Sequence, residues 1–416
     1  MKTFRARVPG RLDLMGGNAD YTGGLVFQAT IRETTRADVQ LRNDGILRLV
    51  NPQMGEPIEF HLADLTTDEA VRELVAETKW TAYVLGGFHL LMKRYSIKTG
   101  ANVFIESDVP PNKGVSSSAA VEVAVMKAAV AAYGIALDGI ALAEACQWVE
   151  NVIAQAPCGI MDQAAVVLGE TGHVMPLLCQ PCCPFPLVRL PPDLEVRAID
   201  SGVKHSIAGL ACETARAAAF MAYRMICDWE DLPVTLDDSG FIPRFKDSRW
   251  NGYLSNLSVS LFRSRFEHRL PEFLSGADYK HEHVDPFTRL RPEVVYPVRA
   301  AARYAVEEHQ RVQLFSQLSD GALMGELMYQ SHFAYTECGL GNEATDYIVD
   351  LVRSEGLLGA KMTGGGAGGT VAILCRKGSE DAFARVVDRY AKYSGSIPYV
   401  FEGSSPGADR VGIEIL

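Results

Sequence analysis

The sequence predicts an α+β protein of two lobes, and three observations carry that prediction. Strand-like and helical segments are intermixed rather than repeating as strict βαβ units. The 416 residues suffice for two domains. A Pro191-Pro192 pair after a Pro- and Cys-rich stretch marks a break, giving lobes at 1–192 and 193–416.

The elements follow in order. Residues 3–14 alternate loosely, as a strand does, and run into the turn-rich Gly16-Gly17-Asn18-Ala19-Asp20. Strand-like stretches recur at 34–41 and 101–105, and 81–94 has helical spacing. The turn Val109-Pro110-Pro111-Asn112-Lys113-Gly114 feeds a strong helix over 117–133, rich in Ala, Val and Met and stopped by Gly134. A second apolar helix covers 140–153 and is closed by Pro157, and a shorter third begins near Gly159 and stops by Gly169. Residues 172–190 hold a strand and a loop.

Beyond the break, 194–199 reads as a strand and 214–227 as a helix. Residues 228–292 mix aromatics, Pro and charge without clear caps, which predicts an insertion or elaborated loop. Helices resume at 300–317, 320–334 and 344–355. A glycine run, a strand over 370–375, a helix over 379–393 and two terminal strands complete the chain.

Composition narrows the function. Hydrophobic residues at 48% and charged residues at 22% exclude a mainly disordered chain. The formal net charge of −11, with no dense Lys/Arg run, argues against nucleic acid and anionic membranes as partners. A phosphorylated small molecule stays open, because such sites are built locally. Residues 1–10 lack an apolar signal core, and no run of 18 apolar residues occurs. Nine scattered cysteines read as reduced thiols, so the expectation is a cytoplasmic protein, a monomer or weak homo-oligomer.

Three motifs carry chemistry. In Pro111-Asn112-Lys113-Gly114-Val115-Ser116-Ser117-Ser118-Ala119-Ala120 a turn with three serines opens a long helix. A helix N-terminus presents unpaired N–H groups and partial positive charge, which suit phosphate, while small residues let backbone approach it. An ordinary serine N-cap is the alternative, and the spacing is not that of a Walker loop. Lys361-Met362-Thr363-Gly364-Gly365-Gly366-Ala367-Gly368-Gly369 packs five glycines into six positions, a loop suited to pressing against phosphate or another backbone. Pro9-Gly10-Arg11-Leu12-Asp13-Leu14-Met15-Gly16-Gly17-Asn18-Ala19-Asp20-Tyr21 sets Arg, two Asp and Asn among glycines, a polar set suited to a hydroxyl-rich ligand.

In this order the three motifs resemble the GHMP kinase superfamily over nearly the whole chain. The Gly-Arg-x-(Asn/Asp)-Leu-x-Gly…Asp-Tyr-x-Gly-Gly pattern and Pro157-Cys158-Gly159-Ile160-Met161-Asp162-Gln163 resemble its galactokinase branch. The run Gly-Arg-Leu-Asp-x-Met-Gly-Gly-x-Ala-Asp-Tyr, the segment 199–206 and Cys338-Gly339-Leu340-Gly341 are similar to the L-arabinokinases.

The resemblance implies a ribosomal-S5-domain-2-like N-terminal lobe, a ferredoxin-like C-terminal lobe and a site in the cleft between them. It implies ATP- and Mg²⁺-dependent phosphoryl transfer to the anomeric hydroxyl of a monosaccharide. Asp162 matches the catalytic carboxylate and Arg11 its partner. Ser118 and Glu150 match the Mg²⁺ side. Gly114, Ser116, Ser117, Ser118, Ala119, Gly364, Gly365 and Gly366 match the nucleotide loops, and Asp20, Asn18, Gly17 and Gly159 the sugar side. Lys113 is a further candidate phosphate contact.

Galactokinases carry Gly-Glu-His-x-Asp-Tyr where this chain has Gly16-Gly17-Asn18-Ala19-Asp20-Tyr21. The missing Glu and His are family contacts near the C6 hydroxymethyl group. L-Arabinopyranose has the ring stereochemistry of D-galactose without C6, and a buried carboxylate with no hydroxyl to meet is costly. The reading therefore favours L-arabinose. D-Galactose and a non-catalytic sugar sensor remain the alternatives, and a uronic acid would need a cation such as Lys204 or His205 near C6. Cys179, Cys182, Cys183 and His173 read as loop and core groups rather than a zinc site. His281 and His283 read as surface residues, and the four tryptophans as core or lobe contacts.

Overall fold

The computed structural model describes residues 2–203, 208–285 and 288–416. Its first two strands, Thr3–Met15 and Leu25–Leu41, pair antiparallel from Thr3↔Gln40 to Met15↔Phe27. Up to Arg7 the first strand keeps partly exposed positions, and from Val8 onward it and the start of the second strand are largely buried. That double burial hides the beginning of the second strand from a search for alternation. Strands Ala101–Ser107, Ile46–Val50 and Ile58–His61 extend the sheet, and Val174–Leu178 pairs with the start of the second strand. Helix Ser117–Tyr133 packs across both long strands. It is apolar and Ala-rich nearly all round, as an interior helix must be. Gly134 ends it in the left-handed conformation.

The second lobe is built on an antiparallel sheet of Gly359–Met362, Thr370–Arg376, Leu194–Asp200 and Val400–Phe401. Helices Glu343–Ser354 and Glu380–Ser394 bury Ile348, Val352, Phe383, Val386 and Tyr390 against it. The lobes are not independent. Phe315, Met324, Leu374 and Phe401 join the core of the first lobe, and the last strand, Glu414–Ile415, pairs with Phe4 and Arg5 of the first. The tail thus returns across the expected boundary at 192/193.

Residues 228–292 do not form a loose loop. Trp250, Phe262, Phe266 and Tyr279 build a separate core with Tyr223 and Ile226 of helix Ala208–Trp229 and Ala302 of helix Val298–Phe315. Asp247 anchors it by accepting the N–H groups of Arg249, Trp250 and Gly252 and the Tyr223 hydroxyl. Among the described residues no helix is long and apolar enough to cross a membrane.

Candidate active site

The first strand carries Arg11, and short helix Met161–Leu168 carries Asp162 in its first turn. Arg11 is buried and donates from Nε and Nη2 to Asp162 Oδ1 at 2.8 and 2.5 Å. Its third nitrogen, Nη1, donates to the Gly114 carbonyl at 2.7 Å, and its backbone N–H to the Val115 carbonyl at 3.0 Å. One guanidinium therefore fixes both the carboxylate and the serine-rich loop.

That loop ends in Ser116, whose φ of +58° is left-handed. Its buried hydroxyl has no hydrogen-bond partner. An orphaned hydroxyl beside the N-terminus of a long helix is the signature of an anion site. Ser117 and Ser118 form the first turn, and Ala119 behind them is fully buried. The glycine loop lies against this turn. A Cβ on Gly364, itself at φ +73°, would come within 2.8 Å of the Gly114 carbonyl oxygen and 3.4 Å of Arg11 Nη2. Only glycine permits that approach. Lys113, a candidate phosphate contact, instead reaches Asp200 of the second lobe at 2.7 Å and ties the serine loop to it.

Glu150 is buried at the end of the second helix, where the last turn widens into a π-turn over Val149–Ile153. It accepts hydrogen bonds from Ser118 and Cys158, and from Gln163 Nε2 at 2.6 Å. Burial and the nearby charge of Asp162 push its carboxyl up to about 7. Behind it lies Glu122, which motif reading missed. It shares Gln163 at 3.1 Å, its second oxygen has no partner, and burial holds it well above the usual range. Two carboxyls this close and this dry favour a cation, and Ser118 with Glu150 offers it hard oxygen ligands. Among the described residues no group of three or more His, Cys, Asp or Glu side chains is placed to hold a metal.

Asp20 projects from the 3-10 turn Gly17–Thr22 and lies against Gly159, where a Cβ would fall 1.9 Å from its Oδ2. Burial first, and then the charge of Asp162, push Asp20 up to about 7. Both residues line a cleft of about 740 Å³, which continues under Arg244, Phe245 and Tyr253 of the insertion. Arg216 also lines the cleft and escaped sequence reading. Its Nε is buried without a partner, and its guanidinium lies 5.0 Å from the Phe220 ring. Desolvation lowers its affinity for the proton. The sequence signal was an arginine set in the alanine-rich stretch 215–219 of its helix.

Gly17 and Asn18, expected on the sugar side, do not line this cleft. Asn18 is buried under the glycine loop, its Nδ2 3.4 Å from the Gly365 carbonyl and its Oδ1 near Cys212. Gly365 and Gly366, expected on the nucleotide side, face Asn18 and Tyr335 there. Lys204 and His205 lie outside the described residues. All nine cysteines are free thiols.

Known proteins resemble the chain in sequence and in fold. The chain matches the GHMP kinases N-terminal domain over 82–170, the GHMP kinases C-terminal domain over 310–392 and the galactokinase galactose-binding signature over 2–40. It is 36% identical to L-arabinokinase of Arabidopsis thaliana over 98% of its own length, spanning 46% of that longer protein. It is 32% identical to a galactokinase of Chloroflexus aurantiacus, covering 94% of this chain and 88% of the relative. In fold it is similar to Lactococcus lactis galactokinase crystallised with galactose, with TM-score 0.77, 23% identity and coverage of 99% and 95%. Methanococcus jannaschii mevalonate kinase is a more distant likeness, with TM-score 0.59, 15% identity and coverage of 95% and 96%. The chain belongs to the GHMP kinase family, in its galactokinase branch.

Proposed function

We propose that the protein is a sugar 1-kinase that transfers the γ-phosphoryl group of ATP to the anomeric hydroxyl of L-arabinose. The observation that carries this reading is the Arg11 guanidinium, which grips Asp162 with two nitrogens and the serine loop with the third. The guanidinium fixes the carboxylate where it can accept a proton. Asp162 takes the proton of the acceptor hydroxyl as its oxygen bonds to the γ-phosphorus. The bond from that phosphorus to the bridging oxygen breaks, and ADP leaves. Phosphoryl transfer depends mostly on positioning and charge neutralisation. Arg11 and the unpaired Arg216 bring the positive charge, and the helix N-terminus at Ser117 cradles the phosphates. Ser118 and Glu150 would hold Mg²⁺, which neutralises phosphate charge when bound.

Two supports favour the pentose. The Arabidopsis relative is an L-arabinokinase, and Gly17 stands where galactokinases carry Glu. Here a side chain at 17 has no room, since its Cβ would fall 1.8 Å from the Tyr335 hydroxyl. D-Galactose is the second reading, favoured by relatives such as the Chloroflexus galactokinase that match along most of their length. Phosphorus NMR of the product tests the reaction type. A phosphate coupled to the anomeric proton supports it, and phosphate on any other carbon refutes it.

A further inference from the structure

One hydroxyl joins the turn that bears Asp20 to the glycine loop. Tyr335, on helix Gly321–Glu337, is fully buried. It accepts the Asn18 N–H at 2.8 Å and donates to the Gly364 carbonyl at 2.8 Å. Asn18 belongs to the turn that carries Asp20 into the cleft, and Gly364 to the loop that touches Gly114. Burial keeps the phenol protonated, so it always has a proton to give. The ring has little freedom. Tyr304 packs edge-on at 5.1 Å and donates its own hydroxyl to the Gly16 carbonyl at 2.7 Å, and the Lys361 ammonium lies 5.3 Å from the ring centre. Gly17 closes the last side, because any Cβ there would strike the Tyr335 hydroxyl.

We infer that Tyr335 is a positioning residue that couples the sugar side of the site to the nucleotide side, so that each substrate tightens the other. The inference rests on the proposed sugar kinase reading. A glycine loop settled on phosphate holds its Gly364 carbonyl in place. That carbonyl orients the Tyr335 hydroxyl, and the hydroxyl holds the Asn18 amide and with it the turn bearing Asp20. Coupling between two ligands is reciprocal, so it must appear in both directions. Loss of one buried hydrogen-bonded hydroxyl typically changes an equilibrium several-fold.

Calorimetric titration measures this. L-Arabinose is titrated with and without Mg²⁺ and the β,γ-imido analogue of ATP, and the nucleotide with and without sugar. The wild type should bind each ligand roughly fivefold tighter when the other is present. Tyr335→Phe keeps the ring and removes only the hydroxyl. It should bring that factor to within about twofold of one, with each ligand's affinity alone little changed. A merely structural role would weaken both ligands alone and leave the factor intact. Gly17→Ala displaces the same hydroxyl from the other side and should lose the same coupling. The double variant should lose no more than the worse single. The inference is overturned if the wild type shows no coupling, or if both Tyr335→Phe and Gly17→Ala keep it. A wild type that binds neither ligand refutes the kinase reading itself, and the inference falls with it. Binding of both ligands without coupling refutes only the inference.

Discussion

Lys361 donates to Asp13 at 2.6 Å, and neither side chain reaches solvent. Asp13 lies on the first strand and Lys361 on strand Gly359–Met362, so this ion pair joins the lobes directly beneath the glycine loop. It is well satisfied. Asp13 also accepts from Gln28 and from the Gly17 N–H, and Lys361 donates to the Met362 carbonyl. Breaking one partner of a buried pair strands the other, at a typical cost of about 3–5 kcal/mol. Lys361→Met should show a loss of that order in urea denaturation. The double variant Asp13→Asn with Lys361→Met should lose clearly less.

Asp162→Ala tests the proton acceptor. The sugar is held by other groups, so binding should survive while turnover falls between about a hundredfold and ten-thousandfold. Calorimetry with L-arabinose beside steady-state kinetics separates the two effects. Unchanged turnover would remove Asp162 from the mechanism.

Arg11→Lys keeps the charge but not the fork. One ammonium cannot replace the two donors to Asp162 Oδ1 and still reach the Gly114 carbonyl, as three guanidinium nitrogens do. Turnover should fall about a hundredfold, comparable to the loss of one preorganised transition-state donor. Thermal melting should show a lowered midpoint, because the replacement leaves Gly114 without its donor.

Asp20 gives a pH signature. Its folded-state pKa of about 7 lies above the ordinary value of 3.8, so the folded protein holds a proton there that the unfolded chain releases. The stabilisation is complete below about pH 4 and is lost as pH rises through 7. Asp20→Asn removes the titration. Between pH 4 and 7 its melting temperature should therefore decline less than that of the wild type, and parallel curves would contradict the burial argument.

The sequence was legible where function concentrates residues locally. Arg11, the serine turn, Asp162 and the glycine loop each sit in a contiguous motif, and helix 117–133 is bounded by Ser116 and Gly134 as read. Strands Ile46–Val50, Ile58–His61 and Gly359–Met362 escaped because they are too short to show a period. Residues 228–292 looked loose because their aromatics find partners on helices distant in sequence. Tyr335, Arg216 and Glu122 escaped for a related reason. Each belongs to a helix without a motif at its position, and only the fold brings Arg216 to the cleft, Tyr335 to Asn18 and Gly364, and Glu122 to Gln163.

The most direct measurement is ADP release with Mg-ATP across L-arabinose, D-galactose, D-galacturonate, D-glucuronate and mevalonate. The predicted result is turnover on a neutral sugar, with kcat/KM for L-arabinose above that for D-galactose. Preference for D-galactose would keep the Arg11–Asp162 chemistry and contradict the argument from Gly17. Sugar binding with no turnover on any of the five would contradict the kinase itself.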